Sequence, residues 1–131
     1  MRTRVFAPLV LVLALVLASP AAAAPPRVVF HAPTHTPKVN ARWAWSVVVT
    51  TPAGKPLAAT LSAAIVDPLG GVHAVEYGCC KKKFVTNVRI RGRFADYVQY
   101  PLSARGFPLT FRLTVKTALG TRVVRYRVTT R

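Results

Sequence analysis

The two cysteines of the chain, Cys79 and Cys80, are adjacent and are its clearest candidates for redox or metal chemistry. Neighbouring Cα atoms lie ~3.8 Å apart, which is shorter than the ~4.4–6.8 Å of ordinary disulfide-bonded pairs. A bond between them would close a strained ring, although cysteines of exported proteins usually form disulfides. Three interpretations stay open: thiols without a specific role, a disulfide that is either strained and vicinal or made to a partner, and a metal site.

The three histidines are the remaining candidates for metal ligands. His31 and His35 have the spacing of one helical face, but Pro33 between them disfavours a helix. In an extended segment, residues four apart share a face but stand ~13 Å apart, which is too far to bind one ion. Copper(I) would suit the two thiols, with one of these histidines or His73 as a further ligand. A small exported metal-handling β-sandwich protein of copper type, using the cysteine pair, is therefore the alternative functional hypothesis.

Carboxylates for acid–base chemistry are scarce, since the sequence contains only Asp67, Glu76 and Asp96. Asp67 precedes Pro68 in a predicted turn, which is a structural role for aspartate. The chain has neither a G-x-S-x-G nucleophile motif nor a glycine-rich phosphate loop. A Cys–His nucleophile pair would lack a third group to orient it. We therefore expect no catalytic residues and no cofactor, and an enzyme of unrecognised type is the weakest alternative.

Positive charge dominates the composition, with 19 lysines and arginines against 3 acids and a formal net charge of +16. Several of the cations alternate with apolar residues, and alternate residues of a strand project from the same face. A lysine cluster beside the cysteines adds to them. The candidate anion-binding residues are Lys81, Lys82, Lys83, Arg89, Arg91, Arg93, Arg112, Arg125 and Arg127, with Lys116 on the strand that carries Arg112.

Two interpretations of this basic surface stay open. It is either a solvated outer face, rich in arginine because the genome is rich in G and C, or a surface that attracts polyanions. Like charges opposite each other destabilise a sheet, so an anionic counterpart would relieve the repulsion. In an exported protein that counterpart would be a cell-wall polymer, a phospholipid headgroup, an acidic polysaccharide or an acidic protein. Nucleic acid is not expected in that compartment.

The N-terminus has the three parts of a secretory signal peptide. Arg2 and Arg4 provide positive charge, an apolar run follows, and a series of alanines provides small residues for cleavage. The run is shorter than the ~20 residues of a membrane span, which favours a cleaved signal over a membrane anchor. Cleavage between Ala23 and Ala24 predicts a signal peptide over 1–23, no later membrane span, and a secreted location that includes association with the cell wall.

The region 24–131 is predicted to be one all-β domain, because short runs rich in valine, threonine and aromatic residues are separated by proline and glycine turns. In the second run Trp43, Trp45, Val47 and Val49 fall on one face. Seven strands are predicted, at 27–31, 39–50, 57–66, 72–77, 84–94, 109–116 and 121–129, the fifth with a break near Gly92.

Strands this short must bury one face against a second layer. Two antiparallel sheets packed face to face do this without helices. The sequence therefore predicts a single immunoglobulin-like antiparallel β-sandwich of about seven strands, with an open barrel as the second choice. The two tryptophans would form a large part of its core, because each such ring removes ~150–250 Å² from water.

Several segments resemble parts of bacterial secreted immunoglobulin-like domains. Lys38–Val47, with its aromatic-x-aromatic-x-Val pattern, and Ala53–Leu57, with Gly-Lys-Pro, are similar to the second strand and following turn of such domains. Asp67–His73 and Gly106–Phe111 are similar to later parts, so the resemblance covers most of 27–131. It implies the fold and an exported location, and it transfers no functional residues. The chain lacks the paired, distant cysteines of antibody domains.

Together these features predict a secreted, non-enzymatic binding or structural module of the cell envelope. Its basic sheet face would meet an anionic surface or an acidic partner. Such binding should weaken as salt rises, because mobile ions screen charges at the protein surface.

Overall fold

The computed structural model describes Ser19 and residues 22–75, 77–78 and 86–131. Regular structure in this part of the chain is almost entirely β, which confirms the predicted all-β class. It comprises one 3-10 turn, Leu102–Ala104, and eight strands: β1 (Arg27–His31), β2 (Arg42–Thr50), β3 (Ala58–Val66), β4 (Val72–Ala74), β5 (Asn87–Arg91), β6 (Arg93–Gln99), β7 (Pro108–Thr117) and β8 (Gly120–Thr129).

The strands form two antiparallel sheets. The small sheet has the order β1-β2-β6, and the large sheet has the order β4-β3-β7-β8 with β5 also paired to β3. Immunoglobulin sandwiches place strands B and E side by side on one sheet and strands C, F and G side by side on the other. The pair β2 and β6 in the small sheet and the series β3, β7 and β8 in the large sheet have the same order. The predicted antiparallel sandwich is therefore confirmed.

The core lies between the sheets and is built from alternate residues of β2 and β7. Trp43, Trp45, Val47 and Val49 of β2 are all buried, as their alternation predicts. They meet Phe111 of β7, whose ring centroid lies 5.3 Å from that of Trp45. Polar residues occupy the positions between them on β7, so each strand presents one apolar and one polar face.

The predicted fifth strand, 84–94, is wrong as a single element. The chain turns at Gly92, so that β5 pairs with β3 in the large sheet and β6 pairs with β2 in the small sheet. Gly92 has a φ of +77°, and a Cβ atom there would lie 2.9 Å from the Cβ of Pro56. Glycine is thus required both by the backbone conformation and by the close approach of Pro56. The predicted start of this strand, at 84–85, lies outside the described residues.

Three other strand boundaries differ from the predictions by more than one residue. β2 begins at Arg42 rather than Val39, because Asn40 adopts a left-handed conformation with a φ of +57°. The stretch 96–99, which lies outside the predicted strands, continues β6 because it pairs with β2. β4 ends early, at Ala74.

The predicted cleavage pair, Ala23 and Ala24, is exposed, and the first fully buried residue after it is Pro26. The predicted apolar run of the signal lies outside the described residues, so the boundary between 1–23 and 24–131 stays a prediction. None of the helical structure in the described ranges is long and apolar enough to cross a membrane.

Candidate functional site

The outer face of the large sheet, which we call the basic face, collects cations from three strands. On β7 the outward positions alternate with buried Phe111, Leu113 and Val115. β7 and β8 form an antiparallel hairpin, so their outward residues share this face. The cations of the basic face are Arg89 and Arg91 on β5, Arg112 and Lys116 on β7, and Arg125 and Arg127 on β8.

The hydrogen-bonding pattern of the hairpin brings two of these arginines especially close. Arg112 and Arg125 are direct cross-strand partners. The N–H of Thr129 donates to the carbonyl oxygen of His35 at 2.8 Å, away from β7. Thr129 and every second residue before it, including Arg125, therefore form the non-hydrogen-bonded pairs of this ladder. In such pairs the Cα atoms lie only ~4.5 Å apart and the side chains are close together.

Arg127 adds a third guanidinium to this pair. It projects from the same face of β8 as Arg125, ~7 Å further along the strand, and lies opposite Thr110. Arg125 and Arg127 are exposed, whereas Arg112 is half-buried between neighbouring strands. We call Arg112, Arg125 and Arg127 the arginine cluster. Their fork-shaped donors suit the paired oxygens of a phosphate or carboxylate group.

The remaining cations lie at the other end of the basic face. Thr60 of β3 is flanked by Arg89 on one side and Lys116 on the other. Because neighbouring strands are ~4.8 Å apart, the backbones of Arg89 and Lys116 stand roughly 10 Å apart. Arg91 continues the row along β5, opposite Ala58. The face thus presents separated positive groups rather than one point charge, which suits a repeating anion.

Hydroxyl and amide groups fill the positions between the cations. The outward residues of this kind are Thr60, Ser62, Asn87, Thr110, Thr114 and Thr121. The described outward positions of the large sheet include no aspartate or glutamate. Asp67 lies in the turn after β3 and Asp96 lies on β6 in the small sheet. The described part of the basic face is therefore rich in hydrogen-bond donors and carries positive charge alone.

Arg93 does not belong to this face, so its predicted grouping with Arg89 and Arg91 is wrong. After the turn at Gly92, Arg93 pairs with Val48 of β2 and projects from the outer face of the small sheet. The alternation of charged residues continues through the turn, but the sheet changes. Three further candidates, Lys81, Lys82 and Lys83, lie outside the described residues.

The histidines have separate structural contacts. His73 Nε2 lies 2.9 Å from Asp67 Oδ2, and the imidazole of His35 stacks on Tyr126 with ring centroids 4.1 Å apart. His31 is exposed on β1. The described residues include no group of three side chains able to hold a metal ion. Cys79 and Cys80 lie outside the described ranges, so the copper-type alternative stays a hypothesis.

The turn after β3 is organised by Asp67, in the structural role that its sequence context predicts. Its Oδ1 accepts hydrogen bonds from the backbone N–H groups of Leu69 at 2.9 Å and Gly71 at 2.8 Å. The hydrogen bond from His73, followed by the backbone bond from Gly71, lowers the pKa of Asp67 below its ordinary value. This carboxylate is therefore engaged in its own turn and is not available to neutralise the basic face.

A cleft of about 1140 Å³ opens at another side of the sandwich, and its chemistry is different. Tyr77, Tyr97, Tyr100 and Phe107 are among its lining residues. Burial raises the pKa of Tyr77 and of Tyr100, so both hydroxyls stay neutral at physiological pH. Its apolar, aromatic walls are unsuited to a polyanion, which leaves the basic face as the candidate site for that class of ligand.

The hydroxyl residues of the basic face are not among the site residues predicted from the sequence. Thr60 and Ser62 alternate with the apolar residues Ala59, Leu61 and Ala63, and this pattern could have assigned them to the outer face. The position of Thr60 between Arg89 and Lys116 could not have been found, because it depends on which strands β3 pairs with.

Fold and site together define an antiparallel β-sandwich with an arginine-rich sheet face. No protein-family model and no curated protein sequence matches the chain. In structure it is similar to a DUF4466 family protein from Parabacteroides merdae ATCC 43184, with a TM-score of 0.46 and 17% sequence identity. The match covers 81% of this chain and 44% of that protein, so the chain spans less than half of its neighbour's length.

Proposed function

We propose that this protein is an exported, non-enzymatic module of the cell envelope that binds polyanions through the basic face of its large sheet. The observation that carries the proposal is the direct pairing of Arg112 with Arg125 across β7 and β8. Two like charges at a close cross-strand position destabilise the sheet. An anion bound between them converts that repulsion into two attractive contacts.

Arginine favours phosphate and carboxylate ligands for a geometric reason. Its planar guanidinium donates two parallel hydrogen bonds to one such group, and it is less strongly hydrated than the lysine ammonium. Five of the six cations of the basic face are arginines. Their spread over three strands favours a polymer of repeated anionic groups, such as an anionic cell-wall polymer or acidic polysaccharide, over a single small anion.

The proposed location rests on the N-terminal sequence. Positive charge at Arg2 and Arg4, an apolar run and a series of alanines are the features that export machinery recognises. Outside the cytoplasm the abundant polyanions are envelope polymers and lipid headgroups. Without Arg2 and Arg4 of the signal peptide, 17 lysines and arginines remain against 3 acids, and this net charge of +14 would concentrate the protein at such surfaces.

The test compares two double variants that remove the same charge from opposite sheets. Arg112→Gln with Arg125→Gln alters the basic face, whereas Arg42→Gln with Arg93→Gln alters the outer face of the small sheet. Retention is measured on immobilised polyphosphate and on immobilised polyglutamate, with a salt gradient for elution. We expect the first variant to elute at clearly lower salt than the second, which should stay close to the unmodified protein.

The unmodified protein should also bind with an affinity that falls linearly on a log–log plot against salt concentration, because counterions are released on binding. Identical elution of the two double variants would show that only net charge matters and would overturn the assignment of the site. Retention that does not change with salt would overturn the polyanion proposal itself.

A further inference from the structure

The free edge of β8 carries backbone groups that no described residue satisfies. The hydrogen-bond phase established by Thr129 directs the N–H and C=O groups of alternate β8 residues away from β7. His35 covers one end of this edge, since its Nδ1 lies 2.6 Å from the carbonyl oxygen of Arg127. Along the rest of the edge, no described residue is a hydrogen-bond partner of the outward backbone groups of Thr121, Val123 and Arg125.

A groove runs beside this open edge. Its volume is about 550 Å³, and one wall is formed by Arg122, Val123 and Val124 of β8. The opposite wall is formed by the segment from Ala24 to Val29. That segment begins with consecutive prolines, Pro25 and Pro26, which have no N–H to donate to the β8 edge. No backbone hydrogen bond joins this segment to Thr121, Val123 or Arg125 among the described residues.

The side chains around the groove are apolar and positively charged. Val29 is 45% exposed and Val123 is 42% exposed, which makes them two of the few large apolar side chains on the described surface. Arg27 and Arg122 also line the groove and are exposed. No acidic residue is among the lining residues of the groove. The combination favours an extended chain with alternating apolar and acidic side chains.

We propose that this groove docks an extended acidic segment of another protein as an added strand of the large sheet. Backbone hydrogen bonds to an unpaired edge provide affinity in this mode of recognition, and alternate side chains provide specificity. Apolar residues of the segment would lie on the face of Val123, and the carboxylates on its opposite face would meet Arg122 at the groove, where Arg27 adds a second positive charge. A second copy of this chain would instead bring arginine against arginine, so charge complementarity selects an acidic partner.

The proposal does not depend on the polyanion function. The β8 edge is a main-chain surface bordering the groove, whereas the basic face uses side chains projecting from the sheet. The two sites share β8, so an acidic strand docked at the edge would lie beside Arg125. Separate variants nevertheless distinguish them, because Val123 contributes an edge N–H and no charge.

The experiment uses fluorescence anisotropy with a short labelled peptide of alternating valine and glutamate. Val123→Pro removes the N–H that points to the open edge and leaves the β7 ladder intact, because Val123 is in a non-hydrogen-bonded pair with Thr114. Val123→Thr keeps both the N–H and a β-branched side chain. We expect the proline variant to bind the peptide about tenfold or more weakly than the threonine variant, through loss of edge hydrogen bonding.

A peptide of alternating valine and lysine should bind at least tenfold more weakly than the glutamate peptide. Hydrogen exchange of the unmodified protein provides a second measurement that needs no variant. Adding the glutamate peptide should slow exchange at the amides of Thr121, Val123 and Arg125 specifically. Equal affinity of the proline and threonine variants, equal binding of the lysine peptide, or unchanged exchange at these amides would overturn the proposal. Polyphosphate retention of Val123→Pro should stay unchanged, which separates this result from the function of the basic face.

Discussion

At the scale of single residues, Asp67 and the arginine cluster occupy separate regions of this protein. Asp67 is held in its turn by the N–H groups of Leu69 and Gly71 and by the imidazole of His73. The arginine cluster lies on an outer face where the described residues provide no carboxylate. This separation leaves the basic face positively charged and gives the carboxylate a structural task, so mutations at the two places should affect different properties.

Asp67 should make folding stability depend on acid pH. Its pKa is lowered in the folded protein, so its contribution is fully present above the unfolded value of about 3.8 and is lost as the pH falls through the lower folded pKa. We expect the stability difference between the unmodified protein and Asp67→Asn to shrink as the pH falls below about 4. Urea unfolding of both proteins at a series of pH values measures this stability difference. His73→Gln removes the largest cause of the shift and should flatten this dependence, and a constant difference across the series would contradict the prediction.

At the scale of elements, Gly92 decides how the chain crosses between the two sheets. Its φ of +77° lies in the left-handed region, and an added Cβ atom would lie 2.9 Å from the Cβ of Pro56. β5 and β6 belong to different sheets only because the chain turns here. A side chain at this position is therefore expected to disturb both the turn and the contact with the segment between β2 and β3.

Gly92→Ala should destabilise the protein by about 2–4 kcal/mol, combining left-handed strain of ~1–2 kcal/mol with overpacking of similar size. Gly106→Ala is a matched control, since Gly106 has a φ of +79° but no atom within 4 Å of the added Cβ. The control should lose only the strain contribution. Denaturant unfolding of both variants gives the comparison, and equal losses would show that the contact with Pro56 is unimportant.

The turn at Gly92 also explains what could be predicted from sequence and what could not. Alternation along β2 correctly predicted that Trp43 and Trp45 are buried, because side-chain direction in a strand is a local property. Alternation through Arg91, Gly92 and Arg93 suggested one face, yet the two arginines project from different sheets. Which sheet a strand joins depends on pairing with distant segments, and no local pattern encodes that pairing.

The basic face shows the same division between local and distant information. That Arg112 and Arg125 point outward could be predicted from their apolar neighbours. That they are opposite each other in a non-hydrogen-bonded pair follows only from the register of β7 with β8 and from the bond between Thr129 and His35. The predicted outward direction was therefore correct for these two residues. The close pairing that makes them a candidate site depends on the fold.

At the scale of the whole molecule, a net charge of +16 on 131 residues opposes compaction. Much of that charge is spread over the surface, but the arginine cluster concentrates part of it on one sheet. The two interpretations of the basic face, as a solvated face with no ligand or as a face that binds polyanions, predict different effects on stability. Removing cluster charges relieves repulsion in both cases, whereas only a binding face gains stability when a polyanion is added.

The double variant Arg112→Gln, Arg125→Gln should therefore change thermal stability in two opposite ways. Without a polyanion at low salt it should melt at a higher temperature than the unmodified protein, because a like-charge cross-strand pair has been removed. With polyphosphate in excess the order should reverse, because a ligand that binds only the folded state stabilises it by an amount that rises with the logarithm of the ligand concentration relative to Kd. The double variant Arg42→Gln, Arg93→Gln should keep the polyphosphate-induced increase. An equal polyphosphate-induced increase in melting temperature in all three proteins would mean that polyphosphate binds through net charge alone. The concentration of arginines on the large sheet would then have no role in binding.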